Sequence, residues 1–228
     1  MEALWKQVYA DLDVTSTAHP VLLAHGLGET WPTKEKMATA MFETFSVPSI
    51  CLASHPMLCL YGLGKKSGIV VDSGHDETRA VWIDEGFLLP TSKQSTNVAG
   101  EFLSLNLENA LMHQPALSDR IPEDVVQDIK ERLCYVSLDF QKDDKSSTDS
   151  EKSYELPDGN VISLDKERFR APEALFNPAL FDPHSAPQHG IQTIVKNTLM
   201  KVDADIRSRL CREIVVVSIF ASNQPPHS

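Results

Sequence analysis

The chain has 228 residues, of which 42 % are hydrophobic and 23 % charged, and its formal net charge is −11 at pH 7. These values are typical of a globular protein with one large domain or two small ones. The acidic balance argues against nucleic acid or an anionic membrane as the main partner, and no apolar run reaches the about 18 residues of a membrane span. We therefore expect a soluble protein of the cytoplasm or the nucleus.

The first 62 residues alternate between helical and strand patterns. Apolar residues at helical spacing predict a helix over 2–12, and "HPVLLAH" predicts a short buried strand. "TKEKMATAMFETF" predicts a second helix with Thr33 as its N-cap, and "SICLA" predicts another strand. The apolar face of the second helix comprises Met37, Met41 and Phe45. Strand, helix and strand in this order favour a parallel or mixed sheet covered by helices.

From Gly68 the pattern changes to paired strands. "GIVVD" and "RAVWI" flank a tight turn, and a third short strand is expected at 87–89, so the three predict a meander. "NVAGEFLSLNLENALMHQ" predicts a helix, and "IPEDVVQDIKERL" predicts another with Pro122 at its first position. The apolar stripe of this last helix comprises Val126, Ile129 and Leu133.

The remaining third mixes loops with one hairpin and one helix. "QKDDKSSTDSEKS" holds no apolar residue, so we expect a solvated, mobile loop. "YEL" and "NVISL" flank Pro157-Asp158-Gly159 and predict a hairpin, whereas the Pro-rich "FNPALFDPHSAPQH" is expected to be irregular. A single helix is predicted over 191–210, then a strand at "EIVVVSIFAS" and a frayed tail. The inward residues of that helix are Ile194, Leu199, Val202, Ile206 and Leu210.

The four cysteines are scattered among apolar residues, with no C-x-x-C pair. This spacing favours buried free thiols in a reducing compartment over disulfides or metal ligands. They are Cys51, Cys59, Cys134 and Cys211.

The turn in "GIVVDSGHDETRAVWIDEGF" raises the question of function. An apolar strand that stops at Asp-Ser-Gly can hold a phosphate against backbone N–H groups. The tip, however, carries His75, Asp76 and Glu77, and two of these three side chains repel an anion. From these residues alone, a phosphate loop and a simple capped hairpin remain equally open.

Six segments carry a family resemblance: "MFETF", "LYGLGKKSGIVVDSG", "DEGFLLP", "DIKERLCYVSLDF", "EKSYELPDGNVI" and "RFRAPEALFNP". Their order and spacing are similar to those of the actin family, over about Met1 to Val216. The resemblance implies an α/β fold that is partial actin-like (the sugar kinase and heat-shock ATPase type), with mixed sheets flanked by helices. It also implies a partial subdomain 1 (1–62), a partial subdomain 3 (63–98 and 183–228) and subdomain 4 (99–182).

The resemblance also predicts a chain that is truncated at both ends. Actins hold ATP between two halves, each with a phosphate hairpin, and the printed sequence begins inside the first half. Where the family reads V-L-S-G-G-T-T to close over the adenosine, this chain reads "VVVSIFASNQPPHS". A truncated isoform and a partial gene model both stay open.

The resemblance implies a cofactor, ATP or ADP with Mg²⁺ or Ca²⁺. Asp72, Ser73 and Gly74 match the second phosphate loop, and Asp72 matches the carboxylate that binds the metal through water. His75, Asp76 and Glu77 occupy the rest of that loop, and Asp76 replaces a glycine.

Two further positions match the places where the family positions the attacking water. They carry His55 and Arg79 here, both changed from the family pattern, so no catalytic residue is assigned with them. From the residues alone, His55 beside Pro56 is better explained as a packed core histidine than as a base.

The adenosine wall is matched by Gly100, Gln127, Lys130 and Glu131, with Gln127 in place of an arginine. The alternative is that Lys130 and Glu131 are ordinary surface charges of a solvated helix.

We therefore expect an actin-like cytoskeletal protein that forms filaments or complexes and has weak or no ATP hydrolysis. The alternative is an ATP-binding actin ATPase whose missing ends are an isoform or gene-model artefact. Expected partners are other actin-family subunits or actin-binding proteins, with no direct nucleic-acid contact and no membrane span. Leu180 and Phe181 match a loop that bridges filament strands, and Tyr61, Gly64 and "DEGFLLP" match a cleft for regulators.

Overall fold

The computed structural model describes residues 2–112, 121–146, 151–181 and 189–218. The chain divides into two compact units. Unit 1 comprises Met1–Ser67 with Ile83–Thr91, and unit 2 comprises Gly68–Trp82 with Ser92–Ser228. The three-part division expected from the family resemblance stays a prediction, and the expected frayed tail lies outside the described residues.

Unit 1 is built on two parallel strands and three helices. The elements are α1 (Glu2–Asp11), β1 (Val21–His25), α2 (Trp31–Glu43), β2 (Ile50–Ser54) and α3 (His55–Gly62). Val21 pairs with Ile50 and His25 with Ser54. The core joins Met41, Phe45 and Val47 to partly buried side chains of α1 and both strands. The predicted βα unit is therefore confirmed.

Two details of unit 1 differ from the expectation. β1 is not buried, because alternate residues face away from the helices and Leu22 is 57 % exposed. Helix α2 begins at Trp31, and its N-cap is Thr30, which lies three residues before the predicted N-cap Thr33. The reason is Pro32, whose fixed φ suits the first turn of a helix and moves the start toward the N-terminus.

Unit 2 contains a mixed sheet. β3 (Gly68–Ser73) lies parallel to β9 (Ile214–Ser218), and β4 (Thr78–Asp84) is the neighbour of β3 on the other side. β6 (Gln94–Thr96) pairs with β4 in antiparallel register, and the end of β4, in unit 1, pairs with β5 (Phe87–Leu88). The predicted meander is confirmed.

Six helices and a hairpin complete the described part of unit 2. They are α4 (Gly100–Leu111), α5 (Glu123–Leu133), α6 (Phe140–Lys145), β7 (Lys152–Glu155), β8 (Val161–Leu164), α7 (Glu167–Glu173), α8 (Ile191–Met200) and α9 (Ala204–Leu210). One core lies under α4, α5 and the hairpin, and another lies between the sheet and helices α8 and α9. The hairpin at Pro157-Asp158-Gly159 is confirmed.

Three predictions in unit 2 are wrong in detail. The expected single helix over 191–210 is two helices, because the chain turns at 201–203 and buries Val202 against the sheet. Part of the expected mobile loop is helix α6, which Asp139 caps by accepting a hydrogen bond from the Lys142 backbone at 3.2 Å. Pro122 precedes helix α5 rather than opening it. Residues 147–150 lie outside the described part.

The cysteines are free thiols, as predicted, but they are not all buried. Cys51 and Cys211 are exposed, and Cys59 is half-buried. Only Cys134 of the four is buried, and burial raises the pKa of its thiol to about 12. Cys51 is exposed because it pairs with Leu22 in the two-stranded sheet, on the face that the helices leave uncovered.

Candidate functional site

The predicted phosphate loop is a closed turn between β3 and β4. Asp72 and Ser73 end β3, and the Gly74 backbone N–H donates to the Glu77 carbonyl at 3.1 Å. At the tip, the side chain of His75 is half exposed and that of Asp76 is 86 % exposed. The hairpin shape expected from the sequence is therefore confirmed, with both tip side chains in solvent.

A buried pair of hydroxyl groups fixes the base of the hairpin. The Thr78 hydroxyl donates to the Val98 carbonyl at 2.6 Å and lies 2.9 Å from the Ser73 hydroxyl. Because the single hydrogen of Thr78 is used, Ser73 is the donor of the second bond. Both side chains are buried, so Ser73 serves the fold of the hairpin.

Glu77 faces the cations of its own sheet. Its carboxylate lies 2.6 Å from Nε of Arg79 and 3.1 Å from Nζ of Lys93. Burial alone raises the pKa of Glu77, but hydrogen bonds from Ser95, Arg79 and Lys93, with the charge of Arg79, outweigh burial and hold this pKa below its ordinary 4.5. Arg79, predicted at a water-positioning place, is thus engaged by a carboxylate two residues away.

The hairpin also covers the N-terminus of helix α4. The Gly100 N–H donates to the Gly74 carbonyl at 3.0 Å, and the Glu101 N–H donates to the His75 carbonyl at 2.8 Å. The first N–H groups of a helix have no partner inside the helix and often bind phosphate. Here two of them bind the hairpin instead, so this helix end is closed to an anion.

Lys130 is buried inside unit 2 rather than lying on its surface. Its side chain is 2 % exposed, and Nζ donates to the Gly100 carbonyl at 3.0 Å and to the Ser104 hydroxyl at 2.6 Å. Burial lowers the pKa of Lys130, although the charge of Glu131 opposes that shift. The surface-charge alternative is wrong for Lys130, since its ammonium group ties α5 to the start of α4.

The other two predicted adenosine-wall residues lie one turn apart on α5. Gln127 donates to the exposed carboxylate of Glu131, and the Ser104 hydroxyl approaches the Gln127 side-chain oxygen at 3.5 Å. The structure thus joins the hairpin, Gly100 and α5 into one network. For Glu131, the surface-charge alternative describes the structure.

His55 lies in unit 1, whereas the other predicted site residues lie in unit 2. It is the first residue of α3, where it is half-buried, and its Nε2 lies 3.7 Å from Sγ of Cys59 one turn later. This contact within a helix agrees with the packed-histidine alternative.

Comparison with protein-family models identifies the family of the chain. A model described as Actin matches residues 1–118 and 115–218. The chain belongs to the actin family. The expected fold class, a partial actin-like α/β fold with mixed sheets flanked by helices, is confirmed. Among the described residues, no helix is both long and apolar enough to cross a membrane.

Actin-family proteins usually bind ATP or ADP with a divalent metal ion. In this family member, part of the backbone around the hairpin is already hydrogen-bonded. Three N–H groups, of Gly74, Gly100 and Glu101, are bonded to carbonyls of the hairpin itself. The Asp76 carboxylate stands at the tip beside Glu101, so two negative charges face any incoming phosphate.

A cavity of about 460 Å³ between helices α4 and α5 is acidic as well. Its lining comprises Glu101, Ser104, Leu105, Glu108, Ile121, Pro122, Glu123 and Val126. Three carboxylates in one cavity repel a polyphosphate, and none of the lining residues that the structure describes is a Lys or Arg that would offset them. This side of the actin-family chain therefore offers no second phosphate site in the described residues.

Three residues of this network were not predicted from the sequence. Lys93 and Ser104 supply the partners of Glu77 and Lys130, and Thr78 joins Ser73 to Val98. The spacing of Ser104, four residues after Gly100 at the start of a helix, was a usable signal, because that spacing places both on one face. Nothing in the local sequence of Lys93 indicated its contact.

Proposed function

We propose that this actin-family chain acts through protein contacts, as a subunit of a filament or larger complex in the cytoplasm. Its phosphate hairpin binds ATP weakly and does not hydrolyse it. The observation that carries the proposal is the closed hairpin, in which the N–H groups of Gly74, Gly100 and Glu101 all bond to hairpin carbonyls. A phosphate that used any of these three N–H groups would have to displace its bond while facing the Asp76 carboxylate.

Simple energetics support weak binding. A hydrogen bond to a charged group contributes about 1.5–3 kcal/mol to the binding free energy. Each N–H donor that is already bonded within the protein does not make this contribution to phosphate binding. Repulsion between unit charges at about 4 Å adds about 1 kcal/mol in water and up to about 4 kcal/mol near a protein surface. Because about 1.4 kcal/mol is a tenfold change in affinity, two or three such losses move a micromolar site to millimolar or weaker.

The residue at position 79 supports the lack of ATP hydrolysis, because Arg79 cannot act as a general base. A guanidinium group stays protonated at any physiological pH, so it cannot accept a proton from an attacking water. Arg79 is also held at 2.6 Å by Glu77. It stabilises the hairpin in its present closed form.

Exposed apolar side chains support a role in protein contacts. In unit 1, Tyr61, Leu63, Phe87 and Leu89 are between 47 % and 77 % exposed. In unit 2, Leu180 is 60 % exposed, whereas Phe181 packs against the core of its own unit. Leu180 is therefore available for a neighbouring subunit, as the family resemblance suggests. We propose other actin-family subunits or actin-binding proteins as partners.

Sedimentation tests the proposal directly. The purified chain is centrifuged alone and together with an actin. Each sample is run without nucleotide, with ATP and with ADP, and the pelleted fraction of the chain is measured. We expect association that does not depend on ATP and that falls when Leu180 is changed to Asp. Exposed Gln141 changed to Asp serves as the charge-matched control. Association that requires ATP, accompanied by phosphate release, would contradict the proposal.

A further inference from the structure

Three side chains at the tip of the hairpin bring metal-ligating atoms together. One ligand atom each of His75, Asp76 and Glu101 lies within 4.8 Å of the other two, and all three side chains are exposed. Nε2 of His75 is 3.8 Å from Oδ1 of Asp76. At this exposure an isolated His–Asp pair contributes little to stability, so the fold itself gives no reason for the arrangement.

We propose that this tip binds a divalent transition-metal ion, with Zn²⁺ as the probe, through His75, Asp76 and Glu101. The inference rests on the proposed function, because a tip that held ATP phosphates would have its acidic side chains displaced. One neutral imidazole and two carboxylates supply three ligands of the types found in zinc sites. The remaining positions go to water.

The backbone fixes two of the ligands relative to each other. The Glu101 N–H donates to the His75 carbonyl, and the adjacent Gly100 N–H donates to the Gly74 carbonyl. Tetrahedral zinc at about 2.0–2.1 Å from its ligands needs ligand atoms about 3.3 Å apart. The ligand atoms lie within 4.8 Å of one another, and we expect rotation of the exposed side chains to bring them to this distance.

The charges around the tip favour a cation. The nearby cations, Arg79 and Lys93, both bond to the Glu77 carboxylate. Asp76 and Glu101 therefore add negative charge that these two cations do not face. The chain as a whole carries a formal charge of −11. A divalent ion removes the repulsion between the two carboxylates when it binds.

The imidazole determines which cation fits. Carboxylates alone suit Mg²⁺ and Ca²⁺, which prefer oxygen ligands, whereas imidazole suits Zn²⁺, Ni²⁺ and Co²⁺. The tip is thereby distinct from a hard-metal site at Asp72, which the family resemblance places on the strand before it. We expect Zn²⁺ to bind at least tenfold more tightly than Mg²⁺.

The test is calorimetric titration of ZnCl₂ into the tag-free full chain without nucleotide. Cys51 and Cys211 are replaced by Ser throughout, because exposed thiols also bind zinc. We expect one binding site, lost in His75→Asn and weakened about tenfold or more in Glu101→Gln. The matched controls His189→Asn and Glu155→Gln, both at exposed positions of unit 2, keep the affinity of the parent.

A second measurement uses only the parent chain and therefore does not depend on whether the variants fold. Substoichiometric Co²⁺ added to the parent chain should broaden the imidazole resonances of His75 and leave those of His189 sharp. Equal zinc affinity in all variants, or equal broadening of both histidines, overturns the metal site. Because no nucleotide is present in these measurements, a negative zinc result does not contradict the proposal of weak ATP binding. Tight ATP binding, measured in a separate titration, would instead contradict the proposed function on which the metal site rests.

Discussion

Nε of Arg79, in strand β4, lies 2.6 Å from Oε2 of Glu77, the residue that directly precedes this strand. This ion pair, with Lys93 on the other carboxylate oxygen, neutralises the hairpin from within. A loop that binds phosphate presents backbone N–H groups or cations that are not already occupied. In this actin-family chain, the two cations beside the hairpin are already occupied, and the tip itself is acidic.

The Glu77 ion pairs should stabilise unit 2 at neutral pH. We expect Glu77→Gln to lower the free energy of unfolding by about 1–2 kcal/mol at pH 7, because Arg79 and Lys93 lose a charged acceptor. Urea unfolding followed by Trp82 fluorescence, in a chain whose other two tryptophans are Phe, reports on that unit. Glu155→Gln is the exposed control and should change little.

The same substitution has a predicted pH dependence. The pKa of Glu77 is lowered in the folded chain, so its stabilising effect is complete above the ordinary value of 4.5 and is lost as the pH falls through the lower folded pKa. The difference between parent and Glu77→Gln should therefore shrink on acidification below pH 4.5. A constant difference down to the acid transition would show that the ion pairs are not its source.

Lys130 should act as a structural tie between α5 and α4. Lys130→Met removes the charged donor to the Gly100 carbonyl and the Ser104 hydroxyl, so these two buried groups keep only their 3.1 Å bond to each other and lose the bonds from the ammonium group. We expect a loss of about 1–3 kcal/mol in unfolding free energy without any nucleotide present. Lys142→Met, at an exposed position, is the matched control. Equal melting temperatures for the two variants would show that the tie contributes nothing.

The hydroxyl relay at the base of the hairpin gives a prediction of similar size. Thr78→Val keeps the shape of the side chain but leaves the Val98 carbonyl and the Ser73 hydroxyl unpaired in a buried place, which should cost about 1–3 kcal/mol. Thr198→Val is the control, because the buried Thr198 hydroxyl makes only a long bond of 3.4 Å to the Ala80 carbonyl. Thermal melts of both variants should therefore differ clearly.

Local patterns predicted most of the fold. Apolar periodicity placed the strands around the hairpin, and Met37, Met41 and Phe45 are all buried as expected. It could not predict that β1 has one open face, because a short apolar run does not reveal whether helices cover one face of the sheet or both. It also overlooked helix α6, which contains no apolar residue after Phe140 and is held by contacts of Asp144 with Lys166 and Arg170.

The sequence predicted which residues form the candidate site, but it did not predict the contacts that they make. Gly100 and Lys130 were identified through the family pattern, yet their hydrogen bond spans 30 residues and depends on how α4 and α5 pack. Likewise, the sequence around Glu77 shows Arg79 two residues away but gives no sign of Lys93. Because of such tertiary contacts, residues at positions that bind the nucleotide in other actins stabilise the fold in this chain.

The most direct test of the closed hairpin is a calorimetric titration of the purified chain with Mg-ATP, combined with a phosphate-release assay. We predict a dissociation constant of about 1 mM or weaker and no phosphate release above the buffer. A dissociation constant in the micromolar range with turnover of the terminal phosphate would contradict the account.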